Sequence, residues 1–208
     1  MSIAVSRAEN RVLLSNISWA TYESLLADTD DPGARFTYDQ GYLEIASPSA
    51  RHERYRKLIG RLVDVFTEEH EIPVRSGGSP SLTNKSAQRG LEPDESYYIA
   101  NEPLVRGQDE TDLASTPPDL AIEVDIPQNL LDKLAIYADL GVPEVWVYDG
   151  ESLRIHCRQT DGAYDVHADS LALPAFPTDV ILAFLARAGN SDETTWIRSF
   201  RKWVRAAH

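Results

Sequence analysis

Asp94, in EPD, and Glu123, in PDLAIEVD, are acids on two separate strand-like segments of the chain. If those strands are neighbours, one carboxylate from each converges on a hard cation. Mg2+ is typically held by one or two carboxylates together with waters and substrate phosphate oxygens. Its chemistry there is to activate a water and to stabilise charge on a phosphodiester. A lysine nearby, a compact point charge, would orient that water or neutralise the oxygens at phosphorus. Lys133 stands just downstream of the second acid. Spacing alone favours a plainer reading, in which both acids sit solvated at strand ends.

The segment around Glu123 sharpens the question. Leu120, Ile122, Val124 and Ile126 alternate onto one strand face, which leaves Asp119, Ala121, Glu123 and Asp125 on the other. Carboxylates so arranged repel one another and cost desolvation if buried. Asp119 lies about 13 Å from Glu123 along an extended strand, too far to share an ion, and is expected at a sheet edge or behind the site. Asp125 is nearer, and a second ion or Lys133 is its expected partner. His52 precedes Tyr55 and Ile59 by three and seven residues, so it points inward from a helix. It reads as a buried, hydrogen-bonded histidine or as a base or substrate contact.

The elements that must position these groups follow from the pattern. SARHERYRKLIGRLVDVFTEEH is the strongest helix, with Tyr55, Leu58, Ile59, Leu62, Val63 and Phe66 on one stripe and Ser49 as its cap. NISWATYESLLADTDD predicts an earlier helix capped by Ser18, and Asp39-Gln40-Gly41 a hairpin turn. After a Gly-rich bend and an irregular polar stretch, strands are expected over EPDESYYIAN, LAIEVDI, VPEVWVYD, SLRIHCR and AYDVHA. A helix capped by Asn129 and stopped by Gly141 interrupts them, and two helices close the chain. The order predicts an α/β (α+β) fold with a mixed sheet. One domain over 1–208 is expected, with a core over about 17–150 and C-terminal strands and helices over 151–208.

Composition narrows the classes. Of the 208 residues, 42% are hydrophobic, enough for a sizeable core. No apolar run is long enough to span a membrane, and the N-terminal residues lack a signal-peptide pattern, so a cytoplasmic location is expected. The single cysteine, Cys157, excludes an internal disulfide and reads as a buried structural thiol. A net charge of −13 argues against a broad grip on nucleic acid. It leaves room for an enzyme that meets phosphates through bound metal ions, which reverse the local field.

Four blocks, RFTYDQGYLEIASPSARHERYRKLIGRL, LEPD, PPDLAIEVDI and DKLAIYADLGVPEVWVYDG, resemble the Uma-type restriction-endonuclease family, from about Ile17 to Asp149. The resemblance implies the PD-(D/E)xK nuclease superfamily, with a central mixed sheet flanked by helices and a divalent-metal site on adjacent strands. It implies that Asp94 and Glu123 hold Mg2+ or Mn2+, with the main-chain carbonyl of Val124 completing the set. Where the superfamily has lysine, Glu123-Val124-Asp125 has an acid. The resemblance suggests that the lysine has moved to Lys133 on the next helix, from where a long side chain reaches back. By analogy of fold Glu53, on the long helix, is a further candidate.

The reading is a metal-dependent endonuclease hydrolysing DNA, with Asp94, Glu123, Lys133 and His52 as catalytic residues. A homodimer is expected, its interface supplied by Trp196, Phe200 and Trp203. Two alternatives stand beside it. One is an inactive binding or regulatory protein on the same fold, and the other a phosphodiesterase acting on RNA or small nucleotides.

Overall fold

The computed structural model describes residues 10–29, 33–108, 116–124 and 130–207. Helix α1 (Trp19–Asp28) begins where Ser18 accepts a hydrogen bond from the Thr21 amide, and α2 (Ala50–Glu69) where Ser49 accepts from the His52 amide. Both caps stand where the sequence predicts them. After the short strand β1 (Asn10–Leu14), β2 (Arg35–Asp39) and β3 (Tyr42–Ser47) form the expected hairpin. Gln40 and Gly41 join them with φ of 47° and 97°, the doubly positive turn that matches strand twist.

Six strands make the central mixed sheet: β4 (Arg75–Ser76), β7 (Glu95–Tyr98), β8 (Leu120–Val124), β9 (Glu144–Tyr148), β10 (Leu153–Arg158) and β11 (Tyr164–His167). Their order is β11-β10-β9-β8-β7-β4, with β8 and β9 parallel and the other neighbours antiparallel. A short helix α3 (Glu102–Val105) follows β7. The parallel step needs a crossover, and α4 (Lys133–Leu140) lies within it. Asp132 caps α4 by accepting from the Ala135 amide, so the helix starts later than Asn129 would have placed it. Asn129 itself lies outside the described residues. Gly141 ends α4 in the left-handed region, at φ 77°.

The structure adds a second sheet that the sequence does not predict. It is antiparallel throughout, ordered β1-β3-β2-β6-β5, with β5 (Leu82–Asn84) and β6 (Arg89–Leu91) drawn from the stretch read as irregular. Strands of three residues carry no readable alternation. Pairing of β6 with β2 defines them instead.

The inner face of the central sheet carries Leu120, Ile122, Val124, Trp146, Ile155 and Cys157 against α2 and the closing helices α5 (Thr178–Arg187) and α6 (Glu193–Ala206). This is the main core. Trp196 and Phe200, expected at a dimer interface, are buried in it within the same chain, and Trp203 is stacked on Phe200. Their apolar stripe serves the fold rather than a partner, which corrects the expectation. The outer face packs Ala121 and Val145 against Ile136 and Tyr137 of α4, with Leu82 and Leu91 of the second sheet. No described helix is long and apolar enough to cross a membrane.

Glu144 is the least expected core residue. It is buried on the inner face, where Trp146 Nε1 and the Ser170 hydroxyl donate to Oε1 at 2.6 Å each. The Leu171 and Ala172 amides donate to Oε2 at 2.7 and 3.0 Å. Cys157 lies against the same carboxylate, and burial pushes its thiol up to about 11, so it is inert as a nucleophile. Four donors make a buried carboxylate tolerable, and removing it orphans them all. We expect Glu144→Ala to lower stability by about 3 kcal/mol or more. Urea unfolding midpoints of the two proteins measure this.

Candidate active site

The β7–β8 ladder pairs Glu95 with Ile122 and Ser96 with Ala121. Continued by one step, the same register sets Asp94 opposite Glu123. Residues directly opposite in an antiparallel pair project to the same face. The structure therefore brings together the two acids that the sequence singles out, on the outer face of the sheet beneath α4. Both are almost fully buried.

Each carboxylate is held from two sides. Asp94 Oδ2 accepts the Val124 amide at 2.7 Å and lies 2.9 Å from His52 Nε2. Burial would push Asp94 up. The His52 hydrogen bond and the Lys133 ammonium outweigh it and hold the carboxyl below its usual range. Glu123 Oε2 lies 2.6 Å from the Lys133 amine, and Oε1 accepts a hydrogen bond from the Tyr137 hydroxyl. Burial and the neighbouring Asp94 push Glu123 upward despite Lys133. Burial alone would pull Lys133 down, but the two carboxylates win and hold it above its ordinary value. The charge of both acids thus favours the protonated amine, which contacts Glu123 directly.

Lys133 and Tyr137 stand one turn apart on α4, so they share a face. Tyr137 is the residue that sequence reasoning missed; its spacing of four from Lys133 is the signal that could have found it. The second sheet fixes α4 from behind. Arg89 donates to Asp39 at 2.8 Å on β2, and to the Ala135 carbonyl at 2.9 Å and Asp139 at 2.8 Å on α4. Buried Glu44 on β3 accepts from Arg11 and from the Leu130 amide, both at 2.7 Å, and so anchors the approach to the helix.

The remaining candidates separate cleanly. His52 is buried and turned inward, as its stripe predicts, and is paired to Asp94. Glu53 is partly exposed, 3.0 Å from Arg56 and 3.5 Å from His52 Nδ1. Asp119 accepts the Ile99 and Asn101 amides at 2.6 and 2.8 Å. It clamps the turn after β7 from the start of β8, an interior strand, so it stands at the strand ends and not at a sheet edge. Asp125 lies outside the described residues. Val124 contributes an amide to Asp94; its carbonyl as a ligand is an expectation carried from the resemblance.

Among the described residues no cluster of three or more His, Cys, Asp or Glu is arranged as a metal cage. Two carboxylates on adjacent strands match the sparse protein ligation of Mg2+, which retains waters and substrate oxygens. They do not match a structural zinc site.

The sequence model of a family described as "Uma2: Putative restriction endonuclease" matches residues 19–184. No curated protein matches the chain. Among solved structures, one described as a "putative nuclease belonging to DUF820" from Anabaena variabilis is similar at a TM-score of 0.56 and 15% identity. The likeness covers 81% of this chain and 99% of that one, and it shows a shared restriction-endonuclease-like fold.

Lys133→Met would leave two buried acids without their cation. We expect a loss of about 3–5 kcal/mol at pH 8. Glu123, already shifted upward, then moves further up, so the folded state binds a proton that the unfolded state lacks. Stability therefore falls as pH rises between the unfolded and folded values, and unfolding midpoints should recover toward pH 5.

Proposed function

The chain belongs to the Uma2 family of restriction-endonuclease-like proteins, and on that premise we propose that it is a metal-dependent endonuclease hydrolysing DNA phosphodiester bonds. The observation that carries this is the Lys133 amine at 2.6 Å from Glu123, with Asp94 across the ladder from the same acid. An acid stands where the superfamily keeps its lysine, and the cation is restored from the next helix. The family match runs past residue 150, to 184, which supports reading the C-terminal strands as part of the same domain as the core.

Asp94 and Glu123, with the Val124 carbonyl, would hold Mg2+ or Mn2+. That ion supplies Lewis acidity for the attacking water and neutralises charge at phosphorus. Tyr137 fixes the rotamer of Glu123 by holding Oε1. His52 does the same for Asp94 through Nε2, and would contact substrate or shuttle a proton. Lys133 is held charged by its two acids and offers its ammonium to the oxygens on which charge develops. Buried preorganisation of this kind is worth about 10²- to 10³-fold for one donor. For a duplex substrate this reading includes a homodimer, in which two copies would present one such site to each strand.

A net charge of −13 favours the rival reading of an inactive binding protein on the same fold. The test is plasmid cleavage with Mg2+ or Mn2+, together with calorimetric titration of Mn2+. Nicking abolished by Asp94→Asn and by Glu123→Gln, and reduced about 10²-fold or more by Lys133→Met, supports the nuclease. Micromolar Mn2+ binding should vanish with Glu123→Gln. Cleavage that survives both acid substitutions would sink the proposal, and Mn2+ binding without cleavage of plasmid, oligonucleotide, RNA or cyclic nucleotide would favour the rival.

A further inference from the structure

A cleft of about 410 Å³ opens on the outer face of the central sheet, between α4 and β10, with Glu123 and Lys133 at its inner end. Registers across three strands lay out its floor. Glu123 pairs with Val147, and Val147 with Arg154. One step along, Ala121 pairs with Val145, and Val145 with His156. Acid, valine and arginine therefore form a row, and alanine, valine and histidine the row beside it. With neighbouring strands about 4.8 Å apart, the Arg154 backbone sits about 10 Å from that of Glu123. An arginine side chain spans most of that gap.

The cleft is chemically divided. Leu130, Leu131 and Leu134 line it together with Val145 and Val147, and its charged groups are two acids, Glu123 and Asp132, and two cations, Lys133 and Arg154. Arg154 is about half exposed, and its described ion pair, to Asp149 at 3.4 Å, is long and open to water. Such a pair contributes little and yields readily to a better anion. Burial, and then the charge of Arg154, hold His156 below its ordinary value, so its neutral ring offers a donor and an acceptor to a polar edge. A volume of about 410 Å³ lies near the small end of ligand sites. It admits one nucleotide and not a helix.

We propose that this cleft binds a single unpaired nucleotide of the substrate strand, its phosphate on Arg154 and its base on the leucines and valines of the lining. The inference rests on the nuclease reading and names its substrate class: single-stranded or frayed nucleic acid, in preference to intact duplex. It also accommodates the acidity of the chain. A duplex grip needs a broad basic surface, whereas a lone strand is held by a few cations and a platform for its bases.

The full-length protein is titrated calorimetrically, in EDTA, with thymidine 5′-monophosphate, thymidine and inorganic phosphate. The nucleotide should bind at least about tenfold more tightly than either half, a difference of about 1.4 kcal/mol. Arg154→Ala, at a half-exposed position that leaves the fold intact, should reduce nucleotide affinity to that of thymidine. Equal affinity for inorganic phosphate and nucleotide would overturn the proposal, as would nucleotide binding unchanged in Arg154→Ala or no binding at all. A second arm measures Mn2+-dependent cleavage of a single-stranded oligonucleotide and of its blunt duplex. Preference for the single strand, with a raised KM in Arg154→Ala, supports the cleft; preference for the duplex overturns it. Nucleotide binding without any cleavage leaves the cleft standing and removes the nuclease. Cleavage without nucleotide binding does the reverse.

Discussion

Two carboxylates buried at one point of a sheet cannot both remain charged unless a cation is buried with them. Asp94 and Glu123 meet that condition through Lys133, whose amine is held charged by the same acids it neutralises. Each member depends on the others for its ionisation state. The attraction operates in a medium less polar than water, so it is strong and intolerant of loss. A further divalent charge placed on the two acids would draw them fully into the ionised form and free the amine for another anion.

The architecture around that triad explains why the cation can come from a helix. Between parallel strands the chain must cross over, and α4 lies in the connection from β8 to β9. Its first turn passes directly over the acid at the end of β8. Tyr137, one turn on, faces the same way. The second sheet then grips α4 through Arg89, while Leu82 and Leu91 seal the apolar space beside it. A lysine two residues after Glu123 would have been held by the strand itself. One ten residues away needs this outside support.

The legible parts of the chain were those written in short-range pattern. The α2 stripe, the Ser18 and Ser49 caps, the Gln40-Gly41 turn and the alternation in β8 are local, and their elements formed where predicted. Asp94 and Glu123 stood out as acids at strand segments, but their common register depends on a pairing that no local pattern specifies. Glu144 and the three-residue strands β5 and β6 were invisible for a related reason. A buried carboxylate is justified by donors far along the chain, such as Ser170, and a short strand by its neighbour. The α6 aromatics show the opposite error, in which an amphipathic stripe was assigned to a partner although α2 and α5 already cover it.

Arg89 gives the second sheet a reach beyond its own stability. Its guanidinium joins β2 to the back of the helix that carries the lysine, so the two sheets are geared together. Arg89 and Asp39 therefore bear on where Lys133 sits, although neither touches the acids. The second sheet acts as a lever whose short arm is α4.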